Sequence, residues 1–126
     1  LFAVAEGEHP ARPVLSEYHA IGSVAGAFML RFDHWKYCHY VAYAPQLFDL
    51  ATDPEELQDL AGDPRYAAVL ADGERRLREV LDPEAVDARA KARQASLLES
   101  LGGREAALAR GDLGFSPAPG TKPAFD

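Results

Sequence analysis

Apolar and polar residues alternate with a period of two between Val14 and Leu50, and beyond Asp53 the apolar positions recur every three or four residues. The first regime reads as strands and the second as helices. Val14, Ser16, Tyr18 and Ala20 share one side of a first strand, with Leu15, Glu17 and His19 on the other. Residues 21–26 hold two glycines and a serine, which predicts a turn or a bulged start to the next strand. That strand, AFMLRF at Ala27 to Phe32, is apolar at nearly every position. Such a run suits a strand covered on both faces; a buried helix segment has the same pattern. Asp33 and His34 make a tight turn without the glycine that two-residue hairpins prefer. Trp35 to Ala42 follows, with Trp35, Tyr37, His39 and Val41 on one face and Lys36, Cys38 and Tyr40 on the other. Pro45 then sets off a last short strand, Gln46 to Leu50. The connections are too short for parallel crossovers, so the expected topology is an antiparallel meander of about four strands.

Three Asp-Pro pairs punctuate the helical part, at Asp53-Pro54, Asp63-Pro64 and Asp82-Pro83. Each puts an acceptor side chain at an N-cap and a proline at the first helical position, where its missing N–H is not needed. Asp53 and Glu56 add a capping-box spacing, predicting a short helix from Pro54 to Leu60 ended by Gly62. From Pro64 to Leu81, Tyr66, Val69, Leu70, Leu77, Val80 and Leu81 keep helical spacing. Gly73 interrupts that helix at a cost of about 1 kcal/mol against alanine. Pro83 to Leu101 is a second long helix, with Val86, Ala90, Leu97 and Leu101 on one face and Gly102-Gly103 as its stop. Arg104 to Arg110 is a brief third, ended by Gly111. The class is therefore α+β, a short antiparallel sheet followed by helices. Ahead of it lie a short apolar run, Leu1 to Val4, and a loop, Glu6 to Pro13. Behind it the stretch DLGFSPAPGTKPAFD is an extended tail, ordered only where Phe115 or Phe125 docks.

Composition narrows the partners. At 126 residues the chain is one domain's worth. Net charge is −7, with 15 acidic against 10 basic residues beyond residue 50 and 5 against 3 before it. A nucleic-acid surface needs the opposite balance. No apolar run approaches the roughly 18 residues of a membrane span. A single cysteine, Cys38, excludes an internal disulfide and leaves the compartment open. The chain opens LFAVAEGEHP, with no initiator methionine and no basic leader, and so reads as the end of something longer. The missing leader then says nothing about secretion.

Candidate chemistry is sparse. His34, Cys38 and His39 come nearest to a metal cluster, but Cys38 and His39 point to opposite faces of one strand and cannot share an ion. A packed aromatic-rich sheet is the better account. Glu17 and His19 share a strand face and suit an acid/base pair, or simply the polar face of an edge strand. Ser16 lies on the other face from His19, so a Ser-His nucleophile pair fails on geometry. Arg75, Arg76, Arg78, Arg89, Lys91 and Arg93 are interleaved with Asp72, Glu74, Glu79, Glu84 and Asp87, the pattern of a solvated, salt-bridged helix face. Residues 22–26 match no phosphate-cradling pattern.

From Arg12 to Pro64 an ordered string of residues carries a resemblance: RPVLSEYHA at 12–20, then Phe28-Met29-Leu30-Arg31, Trp35-Lys36-Tyr37, Pro45-Gln46-Leu47-Phe48-Asp49-Leu50, Asp53-Pro54-Glu55-Glu56 and Asp59-Leu60-Ala61. It resembles the C-terminal region of the sulfatase family, within the alkaline phosphatase superfamily, with a choline-sulfatase-like flavour in SEYHA and PQLFDL. The resemblance implies a four-stranded antiparallel sheet with a C-terminal helix, packed on a larger α/β catalytic domain that is absent from this chain. It divides the chain into a linker at 1–13, the sheet at 14–62, C-terminal helices at 63–111 and a proline-rich tail at 112–126. It further implies sulfuric ester hydrolysis in the parent, with a formylglycine and a calcium-like divalent cation in the missing domain and neither in this segment. Cys38, in KYCHYV, lacks the proline and arginine that follow a formylglycine precursor.

On that resemblance the segment completes the fold and walls one side of the substrate cleft. His19, at the end of the first strand beside the glycine-rich turn, is the candidate substrate-binding residue. No residue here is assigned a catalytic role. The expected partner is the chain's own N-terminal catalytic domain, with a homo-oligomer formed through the C-terminal tail and neither nucleic acid nor membrane. Two alternatives stand beside this reading: a phosphonate or phosphodiester hydrolase of the same superfamily, and a non-catalytic oligomerisation or interaction module.

Overall fold

The computed structural model describes residues 12–19 and 23–109. Strands β1 (Val14–Tyr18), β2 (Ala27–Phe32), β3 (Trp35–Tyr40) and β4 (Gln46–Asp49) form one antiparallel sheet in chain order. The expected four-stranded antiparallel sheet is present, and helices follow it. They are a 3-10 turn at Pro64–Tyr66, then α1 (Ala67–Val80), α2 (Pro83–Ser100) and α3 (Arg104–Ala109).

Register decides which residues share a face. Met29 pairs with Ser16 and Cys38, and Cys38 with Gln46. Leu30 pairs with Leu15 and Tyr37, and Tyr37 with Leu47, on the opposite side. That second face carries the core: Phe28, Leu30, Phe32, Tyr37 and Leu47, closed by Leu60 and by Leu77 of α1. The expectation that Ala27 to Phe32 is covered on both faces is met on one. Phe28, Leu30 and Phe32 are buried, whereas Ala27 and Met29 are half-buried and Arg31 is exposed.

Two of the three Asp-Pro pairs cap helical turns. The Asp63 carboxylate accepts the Arg65 N–H at 2.9 Å, and that of Asp82 accepts the Ala85 N–H at 3.0 Å. The third does not, and the helix expected over 54–60 is absent: residues 54–55 turn and residues 56–60 have no regular structure. Glu56 adopts φ +58°, a left-handed backbone that stops a helix at its first turn. Glu56 reaches across to the Lys36 ammonium at 2.5 Å instead of closing a capping box. The Asp53 carboxylate accepts the N–H groups of Leu57 at 3.1 Å and Gln58 at 2.8 Å. The segment then runs alongside β4, where the Leu60 N–H donates to the Leu47 carbonyl at 2.8 Å and Asp59 accepts the Leu47 N–H at 3.0 Å. Tertiary bonds to the sheet edge outweigh the local helix signal.

Strand bounds are slightly shorter than the pattern predicts. β3 stops at Tyr40 because Ala42 takes φ +66°. The Asp33-His34 turn does without glycine because Asp33 itself adopts φ +50°, a region aspartate tolerates better than most residues. The chain divides into two compact units, Leu1–Ala90 and Lys91–Asp126. In the second, Gly102 and Gly103 both take φ +90° and end α2, with the Gly103 N–H donating to the Leu98 carbonyl at 2.9 Å. Gly111 and the tail from residue 112 lie outside the described residues, as do residues 1–11 and Ala20.

Candidate functional site

Two polar clusters lie on the core face of the sheet, and Phe28 stands between them. Its ring centroid is 5.3 Å from that of His19, edge to face, and 6.3 Å from that of His39. Both histidines are mostly buried.

The larger cluster joins β3 to α1. Residues 37 and 39 point the same way from the strand, and Glu74 meets them from the helix: the Tyr37 hydroxyl donates to Glu74, and His39 Nδ1 lies 3.1 Å from Glu74 Oε2. His39 Nε2 lies 3.7 Å from Glu84 at the start of α2. Arg78 completes the group, donating to Glu74 at 2.5 Å and to both oxygens of Glu84 at 2.8 Å. The helix comes this close because position 73 is glycine, with Tyr37 directly over it. Burial, then the bond to Glu74, pushes the Tyr37 phenol above the usual tyrosine range. Burial also raises the Glu74 carboxyl, but hydrogen bonds from Tyr37 and Arg78 and the neighbouring cations outweigh it, and the net shift is downward. The fork of Arg78 holds Glu84 down to about 2.

These directions predict an acid response. A carboxylate whose native pKa is depressed stabilises the fold above its ordinary pKa, and that contribution is lost as pH falls towards the native value. For Glu84 the window runs from its ordinary 4.5 down to about 2. Glu84 is half exposed, so solvent screening limits the pair to about 1 kcal/mol or less. Arg78→Met is therefore expected to lower stability at pH 7 and to flatten its decline between pH 4.5 and 2, as read by urea titrations along a pH series. An unchanged slope would show that Arg78 does not hold these carboxylates.

The cluster borders an open pocket of about 450 Å³ whose other walls include Tyr43, Pro45, Pro64, Ala67 and Leu70. Apolar walls with a few converging polar groups at one end suit a binding surface. Sequence reasoning missed this site. It treated Tyr37 and His39 as a strand face and Glu74 as solvated. The available signal was a glycine at 73 beside Glu74 in an otherwise regular helix.

The smaller cluster contains the sequence candidate. His19 packs on Phe28 and against Gly26, with Nε2 at 3.5 Å from Glu17 Oε2, so the expected Glu17–His19 pair is adjacent in space. His19 is not among the residues lining the 450 Å³ pocket. The other candidates are dispersed. Cys38 lies on the opposite face from His39, buried, and burial raises its thiol. His34 sits in the β2–β3 turn, 3.9 Å from Asp49. Among the described residues no three His, Cys, Asp or Glu side chains are grouped to hold a metal ion. The described residues therefore fit neither the divalent cation nor, with Cys38 buried in KYCHYV, the formylglycine that the resemblance implies for the parent.

No family model matches the chain. Curated relatives do. Arylsulfatase K of Gallus gallus is 46% identical over 69 residues, 48% of this chain and 13% of that protein. Human arylsulfatase K is 47% identical over 51 residues, 38% of this chain and 10% of that protein. The multifunctional alkaline phosphatase superfamily protein PehA of Trinickia caryophylli is 50% identical over 40 residues, 32% of this chain and 8% of that protein. Among solved structures, one from Bacteroides thetaiotaomicron named as a sulfatase is 30% identical with TM-score 0.55, covering 63% of this chain and 18% of that one. The 2-O GAG sulfatase BT1596 is 28% identical with TM-score 0.54, covering 72% and 20%. The chain matches a sulfatase C-terminal region.

The chain spans between 8 and 14% of the length of the curated relatives it matches. The residues that carried the sequence resemblance are those that build the sheet and the loop running beside β4. Asp49, Asp53 and Asp59 of the sulfatase-like string are the carboxylates that hold that loop, each accepting backbone N–H groups.

Proposed function

We propose that the chain is the C-terminal subdomain of a sulfatase-like hydrolase, which cleaves sulfuric esters in the full-length parent. The segment completes the fold and walls one side of the substrate cleft, with His19 directed at substrate. The observation that carries this reading is that the chain is similar both in sequence to arylsulfatase K and in its sheet-and-helix layout to solved sulfatases. In this reading the segment packs on the parent's own catalytic domain. Formylglycine and the divalent cation belong to that domain in this reading.

A second reading has its own support. The chain also matches an alkaline phosphatase superfamily protein described as multifunctional, and a phosphonate or phosphodiester hydrolase of the same superfamily is the alternative. The test is made on the full-length polypeptide that carries this chain. It is assayed with an aryl sulfate, an aryl phosphonate monoester and an aryl phosphodiester, and its active-site peptide is read by mass spectrometry. Formylglycine together with a dominant rate on the sulfate supports the first reading. A dominant rate on a phosphorus ester moves the conclusion to the second, and no hydrolysis of any of the three removes both.

A further inference from the structure

Asp87 is a carboxylate only 6% exposed, in the second turn of α2. An ionisable group taken out of water is costly unless it is hydrogen-bonded, so a buried aspartate needs a structural account. Asp87 Oδ1 accepts the N–H of Gly26 at 2.7 Å, across 61 residues of sequence. That is the short end of the range, as for a charge-assisted bond. The Gly26 carbonyl is also engaged, accepting the Val41 N–H at 3.0 Å just past β3. Both backbone groups of Gly26 are therefore fixed, one by α2 and one by the sheet.

His19 is packed over the same point. A Cβ at Gly26 would fall 2.9 Å from His19 Cε1 and 3.0 Å from Asp87 Oδ1, so the ring and the carboxylate meet above a backbone that only glycine leaves open. Phe28, edge to face, and Glu17 also border the ring.

We infer that Asp87 is a positioning residue: through Gly26 it fixes the place of His19, so that α2, and not the sheet alone, sets where that ring stands. The consequence for substrate rests on the proposed cleft role of His19; the positioning does not. A helix carboxylate that grips the glycine beginning a strand is a device for holding a side chain at the sheet's end to a fraction of an ångström, as a binding residue requires. It also gives α2 a reason for its buried acid.

The experiment uses the full-length polypeptide with Asp87→Ala, Asp87→Asn, Gly26→Ala and His19→Ala. Hydrogen exchange followed by mass spectrometry is read on the peptide containing Gly26, and kinetics on an aryl sulfate. Asp87→Ala is expected to speed exchange at Gly26 by about tenfold or more, the loss of one bond to a charged acceptor. Asn retains the acceptor oxygen and should restore protection to within about threefold. Asp87→Ala and His19→Ala should raise KM by a similar factor with kcat little changed, and the double variant should add nothing further. Where Asp87→Ala does not fold, Gly26→Ala carries the same test, because its methyl displaces both the ring and the carboxylate. Exchange at Gly26 unchanged in Asp87→Ala, or in Gly26→Ala where that variant stands in for it, overturns the inference. Faster exchange with KM unchanged in both Asp87→Ala and His19→Ala upholds the positioning and overturns the cleft role of His19.

Discussion

Replacing Phe28 with alanine is expected to remove about 3–5 kcal/mol of stability, the usual cost of emptying a buried aromatic site. Phe28 is 1% exposed on β2, one of the two inner strands of the sheet. A typical domain is stable by about 5–15 kcal/mol, so this one change removes roughly a fifth of it or more. The site should suffer with the core. The Phe28 ring is the apolar wall shared by His19 and His39, at 5.3 and 6.3 Å. Urea titration of the polypeptide carrying this chain measures the loss. Phe28→Leu, which keeps most of the volume, should cost about 1.5 kcal/mol or less. A loss below about 1 kcal/mol for the alanine variant would mean that the sheet face is not packed as described.

Much of the sheet was legible in the sequence, because strand faces follow from a period of two and need no knowledge of partners. Trp35, Tyr37 and His39 fall on one side and Lys36, Cys38 and Tyr40 on the other, as alternation requires, and short connections left antiparallel pairing as the simple topology. The caps at Asp63 and Asp82 were legible for a similar reason, since an Asx cap and a following proline are decided within four residues. Residues 54–60 carry an equally good local signal and do not obey it. What overrides it is distant: Lys36 holding Glu56, and Leu47 exchanging bonds with Asp59 and Leu60. The candidate site failed in the same way. Glu74 lies 35 residues from His39, and Asp87 lies 61 from Gly26. Interleaved charges on a helix look solvated in sequence whether or not one of them turns towards a strand, and periodicity holds no record of which helix face meets which strand residue.

Gly73 is where local preference and packing give opposite signs, and the outcome tells them apart. In a solvent-facing helix, glycine to alanine gains about 1 kcal/mol. Here a Cβ at position 73 would stand 2.8 Å from Cγ of Tyr37 and 3.0 Å from its Cβ. Those atoms are the root of the side chain, so no rotation of the ring relieves the overlap, and either α1 or β3 has to move. Overpacking of this kind costs about 1–3 kcal/mol and more when the added group branches. Gly73→Ala should therefore lose about 1–2 kcal/mol in spite of its better propensity, and Gly73→Val about 3 kcal/mol or more. A second readout marks the cause. Pushing α1 away separates Tyr37 from Glu74, the partner that together with burial raises the phenol. Ultraviolet titration at high pH, under conditions where the variant stays folded, should then find Gly73→Ala ionising one more tyrosine in the ordinary range than the parent sequence does. Stabilisation by alanine, with the phenol still raised, would mean that helix and strand do not approach as closely as Gly73 allows, and the Tyr37–His39–Glu74 cluster would lose the contact that assembles it.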